Sequence, residues 1–241
     1  MSPDVSIAKK KAAEYAVQFV RSGMVVGLGQ GSTAVFAVRK IAALLEAGLL
    51  ENITGVPCAV SVEQEAQRLG IPLTTLDEHP TVDLTIDGAD EVTERLELIK
   101  GGGGALLREK IVAQASRREI IVVDTRKLSP NLGAHWPVPI EVVPFGGRSH
   151  MNYIRSLGGR AILRREKRGN KFITDQGNFI FDCHFGPIAD PYVLSSQLNE
   201  RAGIIGHGLF LGLATDIIIA DEDEVRHIRR ERTDVSRDES V

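Results

Sequence analysis

The chain has 241 residues, of which 43% are hydrophobic and 25% charged, the usual composition of a globular protein that buries a large core. Its net charge of −3 gives no reason to expect nucleic-acid binding, and its two cysteines, Cys58 and Cys183, are too few for a disulfide framework. Because we find neither a long apolar run nor a secretory signal pattern, we expect a cytoplasmic protein that contacts no membrane.

Apolar strands alternate with amphipathic helices along the first 130 residues. We predict helices over residues 7–21, 34–47, 61–69 and 106–115, and strands over residues 24–27, 56–60, 71–76, 82–86 and 120–124. Short strands that are apolar throughout are typical of a parallel sheet with helices on both faces. The sequence therefore predicts the α/β class for this part of the chain.

The pattern changes after Pro130. We predict helices over residues 149–157 and 191–202 and strands over residues 161–165 and 178–182, an order that indicates a small ferredoxin-like α+β domain over residues 131–207. The apolar run 209–220 is expected to return to the main sheet as one strand, so that residues 1–130 and 208–225 form one domain. The charged tail is expected to be the end of a solvated helix and then, over residues 226–241, disordered.

A candidate anion site, GLGQGSTA, spans residues 27–34 between a predicted strand and a predicted helix. Backbone N–H groups at the start of a helix attract anions, and Ser32 and Thr33 can donate hydrogen bonds to phosphate oxygens. The segment lacks both the G-x-G-x-x-G spacing and the P-loop lysine, so phosphate is favoured over a dinucleotide. A tight turn with Ser32 as the helix N-cap explains the same residues equally well.

An acidic motif, DGADEV, follows the predicted strand that ends at residue 86. Its first residue, Asp87, is expected at the carboxyl end of that strand, where open α/β sheets bind ligands. Asp87 and Asp90 could instead cap backbone groups in an ordinary turn, and this motif alone slightly favours the turn.

The segment KGGGGALLREK, residues 100–110, is the strongest functional signal. Four consecutive glycines cost conformational entropy, and a backbone without side chains approaches and binds anions well, so a binding loop is favoured over a plain linker. Glu109 is expected one turn into the following helix. Its neighbours Arg108 and Lys110 are expected to lower its pKa or to orient it.

Other polar residues carry weaker signals. Lys127 follows the strand that ends at residue 124, but a solvated surface lysine is the commoner case. The lysines Lys9 to Lys11 read as the polar face of a helix, and His207, between two glycines, reads as a turn residue. The histidines are scattered and the triplet 182–184 lies on a predicted strand, where neighbouring side chains point apart, so we expect no metal site.

Taken in order, the motifs GLGQGSTA, TIDGADEV, IKGGGGALLREK, DTRK and FGPIADPYVL resemble those of the A-type ribose-5-phosphate isomerase family over nearly the whole chain except the charged tail. The resemblance implies a Rossmann-like parallel sheet with helices on both faces plus a small ferredoxin-like α+β domain, and a homodimer or homotetramer. It implies a sugar-phosphate substrate bound by Gln30, Gly31, Ser32, Thr33, Gly88, Ala89, Gly101, Gly102, Gly103, Lys127 and Lys9. The family usually has threonine at the position of Gln30.

The resemblance also implies the chemistry, with Glu109 as the base that moves a proton between C1 and C2 of ribose 5-phosphate through a cis-enediolate. Lys100 would stabilise the oxyanion, Asp87 would assist ring opening or move the hydroxyl proton, and Asp90 would orient the sugar or the lysine. No cofactor and no metal are expected. Two alternatives stay open: a non-catalytic sugar-phosphate sensor, and a CoA transferase, deaminase or lactonase on a related fold.

Overall fold

The computed structural model describes residues 3–230, which form three sheets and six α-helices. The helices are α1 (Pro3–Val17), α2 (Ala34–Glu46), α3 (Val60–Arg68), α4 (Leu106–Ala115), α5 (Gly147–Ser156) and α6 (Pro191–Glu200). The strands are β1 (Val25–Leu28), β2 (Thr54–Pro57), β3 (Leu84–Asp87), β4 (Glu91–Val92), β5 (Leu98–Ile99), β6 (Glu119–Asp124), β7 (Val138–Val142), β8 (Arg160–Leu163), β9 (Phe179–His184), β10 (Ile204–His207), β11 (Leu209–Phe210), β12 (Asp216–Ala220) and β13 (Val225–Arg229). None of the described helices is both long and apolar enough to span a membrane.

The main sheet has the strand order β13-β12-β6-β3-β1-β2, and all of its strands are parallel except β13. Its five parallel strands are mostly apolar and buried because α1, α2 and α3 pack on one face and α4 packs on the other. The chain runs from β1 outward to β2 and then returns to the opposite side of β1 as β3. The carboxyl ends of β1 and β3 therefore flank the crevice in which open α/β sheets bind ligands.

The second sheet has the order β10-β7-β9-β8, with every neighbouring pair antiparallel. With α5 and α6 it follows the chain order β-α-β-β-α-β of a ferredoxin-like unit, and a separate apolar cluster that includes Ile140, Ile154 and Leu198 holds it together. The predicted fold class, a Rossmann-like sheet with a small ferredoxin-like unit, is confirmed. The predicted domain boundaries stay a prediction.

A third, three-stranded sheet (β11-β5-β4) was missed. Each of its strands has only two residues, too short for any periodicity to reveal. It joins the segment before Lys100 to the return strand of the chain, with Ile99 paired to Leu209. It thereby fixes the start of the glycine-rich loop.

Three predicted elements are wrong. Residues 71–76 make only an isolated bridge, Gly55 to Leu73, because Pro72 removes a ladder donor. The run 209–220 splits at Gly212, whose φ of +71° turns the chain, so β11 and β12 lie in different sheets. The segment after Asp221 continues as the edge strand β13 rather than a helix end. The remainder of the predicted disordered tail, residues 231–241, lies outside the described residues.

Candidate active site

A cavity of about 80 Å³ lies at the carboxyl ends of β1 and β3. Its lining consists entirely of residues singled out from the sequence: Gln30, Gly31, Ser32, Thr33, Gly88, Ala89, Asp90, Lys100, Gly101, Gly102, Gly103, Glu109 and Lys127. The other two predicted residues touch this lining, since Asp87 contacts Lys100 and Lys9 contacts Ser32. A larger groove of about 470 Å³ beside α4 is mainly apolar and lacks this combination of groups.

Lys100 is the centre of the site and is almost completely buried. Its Nζ lies 2.9 Å from Asp87 Oδ2 and 3.1 Å from Glu109 Oε1, and it donates to the carbonyl of Gly88 at 2.6 Å. Three protein oxygens therefore lie within 3.1 Å of the ammonium, one for each of its N–H groups. Burial opposes the charge, but the two carboxylates outweigh burial and raise the pKa of Lys100, so the lysine stays protonated.

Asp87 is the last residue of β3, and its carboxylate forms an ion pair with Lys100. Its Oδ1 accepts hydrogen bonds from the amides of Gln30, at 2.9 Å, and Gly88, at 2.7 Å. Burial raises the pKa of this carboxyl, while Lys100 and the two amides favour its charged form. Asp87 thus caps turn amides, as the simpler interpretation of the motif held, and it also binds the lysine.

Glu109 lies in the first turn of α4 and is buried. Burial raises its pKa to about 7, an effect that Lys100 opposes and the neighbouring charge of Asp87 reinforces. Its second oxygen, Oε2, accepts no hydrogen bond within residues 3–230. A carboxylate with a pKa near neutrality and a free lone pair beside a cavity is suited to accept a proton from a ligand.

The expectation that Arg108 and Lys110 lower the pKa of Glu109 is wrong. Arg108 lines the larger groove, and Lys110 Nζ donates to the carbonyls of His207 and Leu209. Residues 108, 109 and 110 point in different directions because successive helical residues are about 100° apart. Lys100, nine residues before Glu109, is the charge that lowers the pKa of this carboxyl.

The glycine loop, residues 101–104, is fixed by hydrogen bonds from two sides. Asp90 Oδ2 accepts the amide of Gly102 at 2.7 Å. From the second sheet, Arg164 Nη1 donates to the carbonyl of Gly101 at 2.7 Å. Gly104 has a φ of +88°, and a Cβ placed there would lie 2.3 Å from the ring of Phe172, so the position needs glycine for two separate reasons.

Sequence reasoning missed Arg164 and Phe172. Arg164 follows β8, and its guanidinium also pairs with Asp182 of β9, with Nε 3.0 Å from Oδ2. Phe172 lies in the segment that connects β8 to β9. No local pattern marks either residue, because the contacts join positions about 60 residues apart in the chain.

The candidate anion site at the start of α2 contains Gly31, Ser32 and Thr33. Thr33, not Ser32, is the N-cap, and its side chain makes no capping hydrogen bond. Lys9 is buried rather than part of a solvated face, and its Nζ donates to Ser32 Oγ at 2.6 Å. Burial lowers the pKa of Lys9. Helix amides, hydroxyls and lysine ammonium groups together make an anion site.

Two further residues border this end of the cavity. The Lys127 ammonium lies 4.4 Å from the centre of the Trp136 ring. The amide group of Gln30 lies against Gly103, and its Nε2 is 3.4 Å from Ser61 Oγ. The Gln30 side chain therefore crosses from the anion site to the glycine loop.

His207 ends strand β10 and is not a turn residue. Burial and the nearby Lys110 lower its pKa to about 3, so it is neutral. Among residues 3–230, no group of three or more His, Cys, Asp or Glu side chains is placed to hold a metal ion.

Both the sequence and the structure of the chain are similar to those of known proteins. A family described as Ribose 5-phosphate isomerase A (phosphoriboisomerase A) matches residues 54–224. A ribose-5-phosphate isomerase A of Chloroflexus aurantiacus is 58% identical over 220 residues, 91% of this chain and 92% of that protein.

Solved structures agree with the sequence matches. A D-ribose-5-phosphate isomerase in complex with phospho-erythronic acid has a TM-score of 0.90 at 37% identity, covering 92% of this chain and 97% of the other. The ribose 5-phosphate isomerase of Plasmodium falciparum has a TM-score of 0.90 at 36% identity, covering 94% of this chain and 99% of the other. The similarity therefore extends over nearly the whole chain.

Proposed function

The chain belongs to the ribose 5-phosphate isomerase A family and is an isomerase, and we propose that it interconverts D-ribose 5-phosphate and D-ribulose 5-phosphate through a cis-enediolate. The observation that carries the mechanism is Glu109, buried beside the cavity with one oxygen on Lys100 and the other without a partner among the described residues. The similar structure that holds phospho-erythronic acid supports a phosphorylated sugar as the ligand.

Substrate binding starts from the phosphate. The amides of Val35 and Phe36 already donate to the carbonyls of Gly31 and Thr33, so the donors at the start of α2 that can reach phosphate oxygens are the Ala34 amide and the hydroxyls of Ser32 and Thr33. Lys9 and Lys127 supply positive charge at the same end of the cavity. We propose that the phosphate is bound there and that the sugar carbons extend toward Lys100 and Glu109.

The proton transfer then needs one base and one oxyanion site. Glu109 Oε2 takes the proton from C2 of the open-chain aldose, and the electron pair moves to O1 to give the enediolate. A hydroxyl proton moves from O2 to O1, and Glu109 returns its proton to C1 to give the ketose. A base whose pKa is about 7 transfers protons efficiently in both directions near neutral pH.

Lys100 stabilises the oxyanion by its charge, because three protein oxygens already lie within 3.1 Å of its Nζ. Asp90 holds the amide of Gly102, and the carbonyl of Gly101 accepts the amide of Gly104. We assign the remaining loop amides, those of Gly101 and Gly103, as the hydrogen-bond donors to the oxyanion. The role of Asp87 in ring opening and that of Asp90 in orienting the sugar stay predictions.

Each step above uses side chains and amides of this chain alone, so we propose a reaction that needs neither metal nor organic cofactor. We place it in the non-oxidative branch of the pentose phosphate pathway. A homodimer or homotetramer in the cytoplasm remains our expectation.

The direct test mixes EDTA-treated protein with ribose 5-phosphate and follows ribulose 5-phosphate. We expect rapid turnover, and we expect Glu109→Gln to lower kcat at least about 100-fold because general-base catalysis contributes about 10²–10⁴. Glu200→Gln, at an exposed helical position, is the matched control and should keep the wild-type rate.

Other outcomes favour the alternatives. Binding of ribose 5-phosphate without turnover would support a sensor, and a covalent thioester formed with acyl-CoA would support a CoA transferase. Near wild-type turnover in Glu109→Gln would refute the assignment of the base.

A further inference from the structure

The mechanism does not use Lys110, although this lysine lies next to the proposed base. Its partly buried Nζ donates to the carbonyl of His207 at 2.6 Å and to that of Leu209 at 2.9 Å. It also lies 4.9 Å from the centre of the Phe210 ring. These contacts fasten α4 to the segment that joins β10 to β11.

The same segment fixes Lys100. The amide of Lys100 donates to the carbonyl of Gly208 at 2.9 Å, and Ile99 pairs with Leu209 in the three-stranded sheet. The ammonium of Lys100 lies 5.5 Å from the centre of the Phe210 ring. Residues 207–210 therefore contact both Lys100, which follows β5, and Lys110, which lies in α4.

Lys110 and Glu109 are consecutive in α4, so whatever holds Lys110 limits how the helix can rotate or shift. A rotation of α4 would carry Glu109 Oε1 away from Lys100, where the two atoms are now 3.1 Å apart. We propose that Lys110 is a positioning residue that sets the distance between Glu109 and Lys100 by binding the carbonyls of His207 and Leu209. This inference rests on the proposed function of the site.

An apolar residue of similar length would fill the same space without burying a charge. Burial alone lowers the pKa of Lys110 to about 8, and no carboxylate within residues 3–230 offsets it. Of the groups that face Lys110, His207 is neutral, with its pKa lowered to about 3, and Lys100 carries a like charge across Phe210. What Lys110 adds over such an apolar residue is therefore its pair of hydrogen bonds to the carbonyls of His207 and Leu209.

The proposal has a signature that a loss of stability would not produce. Lys100 lowers the pKa of Glu109, so a longer distance between them would raise it. The acid limb of the plot of kcat/KM against pH would then move to higher pH. The other titratable groups around Glu109 are Asp87, Asp90, Glu119 and the Cys58 thiol, and Lys110 contacts none of them.

The experiment compares wild type with Lys110→Met, which removes every donor, and Lys110→Gln, which keeps one N–H donor group. We expect Lys110→Met to lower kcat about 10- to 100-fold, as a misplaced catalytic group does. KM should change less than about threefold because the phosphate site is untouched. The acid limb should move up by about half a pH unit or more, and Lys110→Gln should lie between Lys110→Met and wild type.

A second readout is independent of turnover. Carbon-13 labelling of glutamate side chains lets NMR follow the titration of Glu109 directly, with its signal assigned by its loss in Glu109→Gln. If the wild type showed no isomerase activity, the proposed function would fail while this titration still tested the positioning. Lys11→Gln, which removes a half-buried lysine whose solvent-exposed hydrogen bond goes to the carbonyl of Glu222, is the control and should leave both readouts unchanged.

A higher Glu109 titration midpoint in Lys110→Met together with the lower kcat supports the proposal. An unchanged midpoint overturns it, whether or not the rate falls, because the distance between Glu109 and Lys100 would then not depend on Lys110. If Lys110→Met does not fold, Lys110→Gln decides the matter by the same midpoint.

Discussion

Replacement of Asp87 by asparagine tests the electrostatics of the site most directly. Lys100 faces two carboxylates, and the charge of Asp87 is one cause of the raised pKa of Glu109. The asparagine side chain would keep an acceptor for the amides of Gln30 and Gly88 but would remove the second negative charge. The pKa of Glu109 should therefore fall below about 7.

The lower pKa of Glu109 in Asp87→Asn should shift the pH dependence of activity in one direction. A group that acts in its ionised form is active above its pKa, so the acid limb of kcat/KM should move to lower pH in Asp87→Asn. The base is also weaker once its pKa falls, so kcat at neutral pH should drop, by about tenfold if base strength is the main loss. Lys110→Met is expected to move the same limb in the opposite direction.

The effect on stability follows from burial. Removal of one partner of a buried ion pair costs about 3–5 kcal/mol when the remaining charge is left alone. Here Lys100 retains Glu109, and the substituted asparagine retains the amide contacts, so we expect a loss of about 2 kcal/mol. For a chain of this size that corresponds to a fall in Tm of about 4–8 °C.

The assay combines pH–rate profiles with thermal unfolding. Asp83→Asn, in which the replaced side chain accepts the Val25 amide and pairs with the exposed Arg117, is the matched control and should leave the acid limb unchanged. An acid limb that stays in place or moves to higher pH in Asp87→Asn would show that the charge of Asp87 does not raise the pKa of Glu109.

Two further substitutions test the walls of the cavity. Arg164→Gln should lower kcat about tenfold because the glycine loop loses its contact with the second sheet. Arg165→Gln is the control and should leave kcat unchanged, because the exposed guanidinium of Arg165 donates only to the Gly169 carbonyl among the described residues. Steady-state kinetics of the two variants measures the difference. Lys9→Met should raise KM about tenfold because a positive charge is lost from the proposed phosphate site. Competitive inhibition by inorganic phosphate should weaken by the same factor. Unchanged inhibition would mean that the phosphate group of the substrate binds elsewhere.

Much of this structure could be predicted because the information is local. The helix over residues 106–115 has the predicted bounds, and the β-α-β-β-α-β order of the second sheet follows from the spacing of apolar runs. Part of the cavity lining could be placed because residues 30–33, 88–90 and 127 follow strands of one parallel sheet, and the carboxyl ends of such strands meet at one edge. Lys100 and the glycine loop follow β5 of the third sheet, and Glu109 lies in α4, so their place in the lining came from the order of the motifs. Edge strand β13 could not be recognised, because its alternation of charged and apolar residues lies within a run dense in charge.

The chemistry of Glu109 could not be predicted from its neighbours in sequence. Two cations flank it in the chain, which favours a lowered pKa, yet the helix turns both away and leaves the carboxyl buried. Its pKa near 7 depends on groups from β3, from the end of β5 and from α4, whose distances are set by three-dimensional packing. Asp87 and Glu109 share the charge of one lysine, so Lys100 cannot lower the pKa of both buried carboxyls as far as it would lower that of a single partner. Asp87 also accepts two amides through Oδ1 and lies 2.9 Å from Lys100 through Oδ2, whereas Glu109 Oε2 accepts no hydrogen bond among the described residues, so Glu109 is the carboxylate placed to exchange a proton.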